Sequence, residues 1–475
     1  MKLISYYADR TSFSLNAKLL VSAFLSAIMF VFILFTGDNL GFFGNDLVIL
    51  SVYFTLFYFA GMVIFFMGED TDKIDTIFFF AAGFAAVTYI RCSLMFFYSR
   101  DYEVFLSVWL SEMRNYSGME ALNANIGDYT MPYQYFLLIL SKLKCNDLLL
   151  IKLFSVTFDI VGATYAMKLV GLKTKNIAVR ALSFILTLAI PTVFLNSAMW
   201  GQCDMLFTAF GLAAIYYALK ERGGLSIIMF AIAFSFKIQT IFFVPVMAIL
   251  FLIGKIKWRD LLWFPAVLFI SVLPAAFAGR NPVSALMVYL HQTKEYATMY
   301  INATSIWCFI GEPEAVEFAN FNMIAIMLTG LAVAALIYLA YKYRRKLDVR
   351  MIVNIAFIGA LLIPYLLPRM HDRYFFTADV LSLIYFFYNK NRWYVPIGVI
   401  LSSYICYSRY LFLNGEMKLL WGSAILLVVL AKTLYDFVSE IISDKVPSNP
   451  ICAIDDNQQD FVDLNSYENF PDKEE

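Results

Sequence analysis

The sequence predicts an all-α polytopic membrane protein of about 13–14 transmembrane helices, because apolar runs long enough to cross a bilayer follow one another along most of the chain. Hydrophobic residues make up 61% of 475 residues and mean hydropathy is +0.71, which leaves little polar surface for a water-soluble domain. Charged residues fall mostly in the short links between the runs, so those links can be read for topology. Lys plus Arg equals Asp plus Glu at 36 each, and the chain carries no basic footprint for nucleic acid.

Taken in order, the runs lie near 17–36, 48–68, 76–97, 148–171, 179–196, 203–219, 225–236, 239–254, 261–278, 320–341, 351–367, 374–388, 394–411 and 416–438. Residues 1–16 are polar, so no cleavable signal peptide is expected. The runs 225–236 and 239–254 are each short and read as a broken or hairpin pair around Lys237. Segment 133–145 is also short. As a half-inserted helix that does not cross, it lets every basic loop after it fall on the cytoplasmic side. Those loops hold Lys173, Lys175 and Arg180, then Lys220 and Arg222, then Lys255, Lys257 and Arg259. Lys342, Arg344, Arg345, Lys346 and Arg350 follow, and finally Lys390 and Arg392.

On this topology the chain divides into N-terminal helices (1–97), an extracytoplasmic loop (98–132), a helical core (133–278) and a second extracytoplasmic loop (279–319). C-terminal helices (320–440) and an acidic tail (441–475), expected to be disordered and cytoplasmic, complete it. Loop 98–132 sets Asp101, Glu103, Glu112, Glu120 and Asp128 against Arg100 and Arg114. Within it Val104, Phe105, Val108, Trp109 and Leu110 recur at helical spacing, the pattern of a helix lying in the membrane interface. Loop 279–319 carries Tyr289, Tyr296, Tyr300 and Trp307, aromatics near Asn302 that either stack on a sugar face or anchor the loop at the interface, with belt anchoring the favoured reading for the tyrosines. The cysteines (Cys92, Cys145, Cys203, Cys308, Cys406, Cys452) are scattered without a C-x-x-C pair, which argues against a disulfide framework or a zinc site.

Short polar constellations punctuate the apolar runs: Asp101-Tyr102-Glu103, Gly127-Asp128-Tyr129, Trp200-Gly201-Gln202-Cys203-Asp204, Lys237-Ile238-Gln239 and Arg369-Met370-His371-Asp372-Arg373. The topology above gathers all of them at the extracytoplasmic face, and polar groups beside lipid are costly enough that such gathering points to a site. Each also has a structural reading. Asp101 is a turn acid beside Arg100, Lys237 and Asp204 a structural pair, and Trp200 a belt aromatic. Asp204 complements the positive end of the helix it opens, and Arg369 snorkels to headgroups. Arg91 and Asp159 sit inside apolar spans: Arg91 is near enough to the outer end to snorkel or to reach the site, Asp159 calls for an interhelical partner, and polar glue between helices is the alternative for either.

These motifs resemble those of the GT-C membrane glycosyltransferases that use polyprenyl-phosphate sugars, most of all bacterial mannosyltransferases related to the PIG-V-type GPI mannosyltransferase. The likeness runs from about Arg100 to Arg373. Arg100-Asp101-Tyr102-Glu103, followed by Trp109, matches the start of the family's first external loop. Gly127-Asp128-Tyr129-Thr130-Met131-Pro132-Tyr133 matches its end, with Met131 in place of a proline. The Trp-Gly-Gln-x-Asp turn, the Phe-Lys-x-Gln break and the Arg-Met-His-x-Arg-Tyr turn complete it.

The resemblance implies an inverting transfer of a sugar such as mannose from a polyprenyl-phosphate carrier to an extracytoplasmic glycan or lipid-linked acceptor. Asp101 would take the acceptor proton, and Lys237, His371 and Arg373 would hold the donor phosphate. Glu103, Asp128, Tyr129, Gln202, Asp204, Gln239 and Asn302 would bind substrate. No ligand cluster demands a metal; a divalent cation near Asp101 and Glu103 stays open. A bacterial plasma membrane is the expected home, with the endoplasmic reticulum as alternative. A transporter or flippase for a lipid-linked saccharide is the alternative function, and it would need polar groups on both sides of the membrane midplane.

Overall fold

The computed structural model describes residues 14–68, 74–124, 126–292, 298–311, 318–443 and 450–451. Among them, 7 helices are both long and apolar enough to cross a membrane, or up to 8 if a bent pair is one span, so the chain is a multi-pass membrane protein. It opens with α1 (Leu15–Gly37), α2 (Gly44–Gly68) and α3 (Ile74–Ser93). The loop that follows carries a π-helical turn (Tyr102–Leu106), α4 (Ser107–Arg114) and α5 (Met131–Ser141). Then come α6 (Asp147–Gly171), α7 (Ile177–Ala189), α8 (Pro191–Phe194), α9 (Asp204–Leu219), α10 (Gly223–Phe236), α11 (Val244–Leu252), α12 (Trp263–Phe277) and α13 (Pro282–Gln292). Beyond β1 (Tyr300–Ile301) lie α14 (Phe318–Lys342), α15 (Val349–Leu366), β2 (Met370–His371), α16 (Phe376–Tyr388), α17 (Tyr394–Leu411) and α18 (Leu419–Ile442). The expected tail is helical as far as Ile442; beyond that only Ser443, Pro450 and Ile451 belong to the described residues.

Several expected spans are shorter than a bilayer, and the reason is local. The apolar helices Asp204–Leu219, Gly223–Phe236, Ile238–Leu252 and Phe376–Tyr388 have 10–17 residues each. Each has one end at a polar turn buried in protein, where irregular backbone is tolerated because it does not face lipid. The run 179–196 becomes α7 and a second helical piece bent by 53° at Ile190, where Pro191 removes a backbone donor.

The basic links lie at the other ends of these helices. Lys173 donates to the carbonyls of Phe387 and Tyr388 at 3.0 and 2.7 Å, and Asn389 donates to Asn354 at 2.9 Å. Arg350 pairs with Glu440, Arg392 with Asp436 at 2.7 Å, and Lys255 with Glu221 at 2.7 Å. Helix α5 has 11 residues, about 16 Å, too short to cross. Both its ends stay at the polar end of the bundle: Thr130 donates to Phe236 O at 3.0 Å, and Arg114 reaches Ser141 O at 3.2 Å and the Asp147 carboxylate. The π-turn and α4 keep Val104, Phe105 and Val108 half-exposed and bury Leu106, Leu110 and Met113, the two-faced arrangement expected of an interfacial helix.

The loop aromatics depart from expectation. Tyr289, Tyr300 and Trp307 are buried, with hydrogen bonds to the carbonyls of Ser235 (2.8 Å), Gly311 (2.6 Å) and Leu366 (2.9 Å). They lock the loop into the bundle rather than anchoring it at a lipid interface; Tyr296 lies outside the described residues. Spacing alone does not separate these roles, because both ask for an aromatic ring with a polar tip.

Arg91 and Asp159 answer each other. Arg91 Nε donates to Asp159 Oδ2 at 2.8 Å, with both side chains fully buried. Ser197 adds a hydrogen bond to the same oxygen at 2.6 Å, and the remaining guanidinium nitrogens reach Val87 O and Leu188 O at 2.9 Å. The pair therefore joins α3, α6 and the segment after α8. Replacing Arg91→Leu leaves a buried carboxylate without its cation and is expected to cost about 3–5 kcal/mol. Thermal unfolding in detergent measures this, and the double replacement with Asp159→Leu should recover most of the loss.

Candidate active site

The site is built where helices stop. Lys152, buried in the second turn of α6, donates to the carbonyls of Leu94 (3.3 Å), Met95 (3.0 Å) and Phe97 (2.7 Å) in the turn just past α3. That clamp turns the chain into Ser99, whose hydroxyl donates to Trp200 O at 2.8 Å and accepts from Tyr102 N at 3.2 Å. Asp101 is thereby set against the 200–204 turn. Gly201 permits that turn, with φ +80° after the π-helical segment Leu195–Trp200. Gly127 (φ +69°) plays a similar part, since a Cβ there would lie 2.7 Å from the Trp109 ring.

The Asp101 carboxylate is ringed by donors. Oδ2 accepts from Trp200 Nε1 at 2.9 Å, Gln202 Nε2 at 2.7 Å and Arg373 Nη1 at 3.4 Å, and Oδ1 accepts from the Tyr410 hydroxyl. Tyr410 stacks on Trp200 with centroids 4.5 Å apart, so the two rings hold one another and the acid together. The side chain of Asp101 keeps 15% of its surface exposed, so a small polar group can reach it.

Arg373 carries the network inward. Its Nε lies 3.5 Å from Asp204 Oδ2 and its guanidinium sits 5.6 Å over the Trp200 ring. Asp204 also accepts from Asn196 at 2.8 Å and pairs through its other oxygen with Lys237. Charges thus alternate through Asp101, Arg373, Asp204 and Lys237. The expected Lys237–Asp204 pair exists. Lys237 is at the same time 5.8 Å over the Tyr129 ring, and the Tyr129 hydroxyl donates to Gln202 at 3.1 Å.

Beside this network lies a cavity of about 460 Å³. Lys237, Gln239, Arg369, His371, Arg373, Tyr129 and Asp128 supply its polar wall; Ile238, Ile241, Phe242, Ile326, Leu367 and Met370 supply its apolar wall. The parallel pair β1–β2 aligns Ile301 with His371 and fixes the turn that delivers His371 and Arg373. Asn302 and Arg369 flank that pair at φ +50° and +64°, conformations that non-glycine residues adopt only when their surroundings impose them. Burial, reinforced by Arg373 and Lys237, pushes the His371 imidazole down to about 3. His371 is therefore a neutral hydrogen-bonding group here, and the cavity's positive charge comes from its arginines and Lys237. The Gln239 carbonyl oxygen is buried in this wall without a hydrogen-bond donor.

Other expected residues sit apart. Glu103 is exposed on the turn after Asp101, and none of the site's hydrogen bonds uses its side chain. Asn302 does not reach the cavity; it donates to Asp372 at 3.4 Å and to Cys406 O at 2.9 Å, and accepts from Arg409 at 3.1 Å. Asp101 is already ringed by donors, one of them a guanidinium, and among the described residues no group of three or more His, Cys, Asp or Glu side chains comes together to hold a metal ion. Sequence reasoning missed Tyr410, Asn196 and Lys152. Tyr and Asn near helix ends are too common to signal a site, but a lysine inside an apolar span was a usable clue. No protein-family model matches this chain, and no curated protein matches it.

Asp372 behaves differently from Asp101. Its Oδ1 is buried without a donor, and burial pushes the carboxyl from 3.8 up to about 7. Because the folded value is raised, stability from the protonated form is complete below about 3.8 and is lost as pH rises through about 7. Asp372→Asn should flatten the pH dependence of the unfolding midpoint across that window, as read by thermal scans in buffered detergent.

Proposed function

We propose that this protein is a GT-C-type integral-membrane glycosyltransferase that moves a hexose such as mannose from a polyprenyl-phosphate carrier to an extracytoplasmic glycan or lipid-linked acceptor. The observation that carries the reading is Arg373, which touches Asp101 and Asp204 and also lines a cavity with one cationic and one apolar wall. A lipid phosphate matches that cavity: its anion pairs with Lys237 and the guanidinium of Arg373, its isoprenoid lies against Ile238, Phe242 and Ile326. The unpaired Gln239 oxygen offers an acceptor to a sugar hydroxyl.

The chemistry is one displacement. The acceptor oxygen bonds to the anomeric carbon as the bond from that carbon to the phosphate oxygen breaks, inverting the configuration. The electron pair leaves with the polyprenyl phosphate, whose growing charge Arg373 and Lys237 stabilise. The acceptor proton passes to Asp101, where the incoming hydroxyl takes the place of one of the present donors. With the basic links on the cytoplasmic side, as the positive-inside rule favours, this end of the bundle faces outward on this reading. A bacterial plasma membrane suits this reading.

Purified wild-type protein should consume a polyprenyl-phosphate sugar in the presence of a membrane glycolipid extract. Asp101→Asn should lower transfer by roughly 10²–10⁴ while eluting from gel filtration as wild type does. Full transfer by that variant removes the base assignment. Wild-type protein that carries a lipid-linked saccharide across liposomes but consumes no donor removes the transferase reading altogether.

A further inference from the structure

A second polar hollow lies on the outer loop, away from the cavity described above. Tyr102, Arg114, Ser141, Lys142, Leu143, Lys144, Cys145 and Asp147 line it. Arg114 is occupied: its guanidinium holds the Asp147 carboxylate and Ser141 O, which pins α4 to the turn after α5. That pair is neutral, so the charge of the hollow comes from the exposed Lys142 and Lys144. Lys142 spends one proton on Tyr116 O at 3.0 Å, and Lys144 is exposed beside it.

Two placements say what kind of anion belongs there. Asp147 is the first residue of a 25-residue membrane span, so the hollow stands at the level where that span leaves the hydrocarbon. The lysines are also interleaved with exposed apolar side chains, Ile139 at 61% and Leu143 at 44% exposure. Ammonium groups beside outward-facing aliphatic side chains suit an ester whose phosphate sits at the interface and whose chains enter the bilayer. We infer that the Lys142–Lys144 hollow is a binding site for the phosphate of an anionic lipid, distinct from the cavity around Lys237. The claim does not depend on sugar transfer.

Cys145 gives a local probe, because it is exposed in the hollow while Cys92, Cys203 and Cys406 are buried. In a full-length Cys308→Ser/Cys452→Ser background, the rate of Cys145 modification by a maleimide is followed in detergent. Short-chain phosphatidylglycerol, short-chain phosphatidylcholine and sodium phosphate are titrated separately. Phosphatidylglycerol should slow labelling saturably and phosphatidylcholine should not. Lys142→Ala or Lys144→Ala should each raise the half-protecting concentration about fivefold, judged against the unliganded rate of the same variant. Lys342→Ala/Lys346→Ala, at the other end of the bundle, should leave it unchanged. Protection by sodium phosphate but not by phosphatidylglycerol would replace the lipid with a soluble phosphate ligand. Equal protection by both lipids, or by neither lipid nor phosphate, would overturn the proposal.

Discussion

The alternating chain Asp101–Arg373–Asp204–Lys237 is the interaction on which the arrangement of this molecule rests. Each of these charges would be prohibitive alone in an apolar bundle, and each is tolerable because its neighbour has the opposite sign. The residues come from the loop after α3, the start of α9, the break before α11 and the turn before α16. Satisfying them therefore forces distant segments to one point. Asn196, Gln202, Trp200 and Tyr410 then use the remaining lone pairs, so the charges are hydrogen-bonded as well as paired.

The same demand explains the irregular backbone. The π-helical turns at Tyr102–Leu106 and Leu195–Trp200, the 3-10 segment Ile238–Phe243 and the left-handed residues Gly201, Asn302 and Arg369 all lie in segments that contribute to the site or support it. Uniform helices would carry these side chains past one another. Interrupting them recesses the polar groups from lipid and leaves backbone groups that Lys152 and Ser99 must satisfy.

Two carboxylates in one neighbourhood illustrate how environment assigns roles. Asp101 accepts hydrogen bonds on both oxygens and retains a little exposure, whereas Asp372 is buried with one oxygen unserved. The first is poised and oriented. The second is pushed toward its protonated form because burial outweighs the partial compensation from Arg373 and Asn302. Neighbouring acids held in such unlike surroundings are a general mark of sites where protons move.

Much of this was legible before any coordinates. Apolar run length determined the membrane class, and the weak flanks around Lys237 determined the break that is found there. Charge in the links separated the basic end of the bundle from the polar one, and the short motifs contained Asp101, Gln202, Asp204, Lys237 and Arg373. Those signals are local, since a helix-long window holds the whole of each. Only the tertiary structure decided the partners: Arg91 with Asp159, Tyr410 with Asp101, Asn302 with Asp372 instead of the cavity, and the loop aromatics turned inward. Pairing in a membrane bundle depends on which helix faces which and at what depth. Hydrophobic periodicity carries no record of that when nearly every face is apolar.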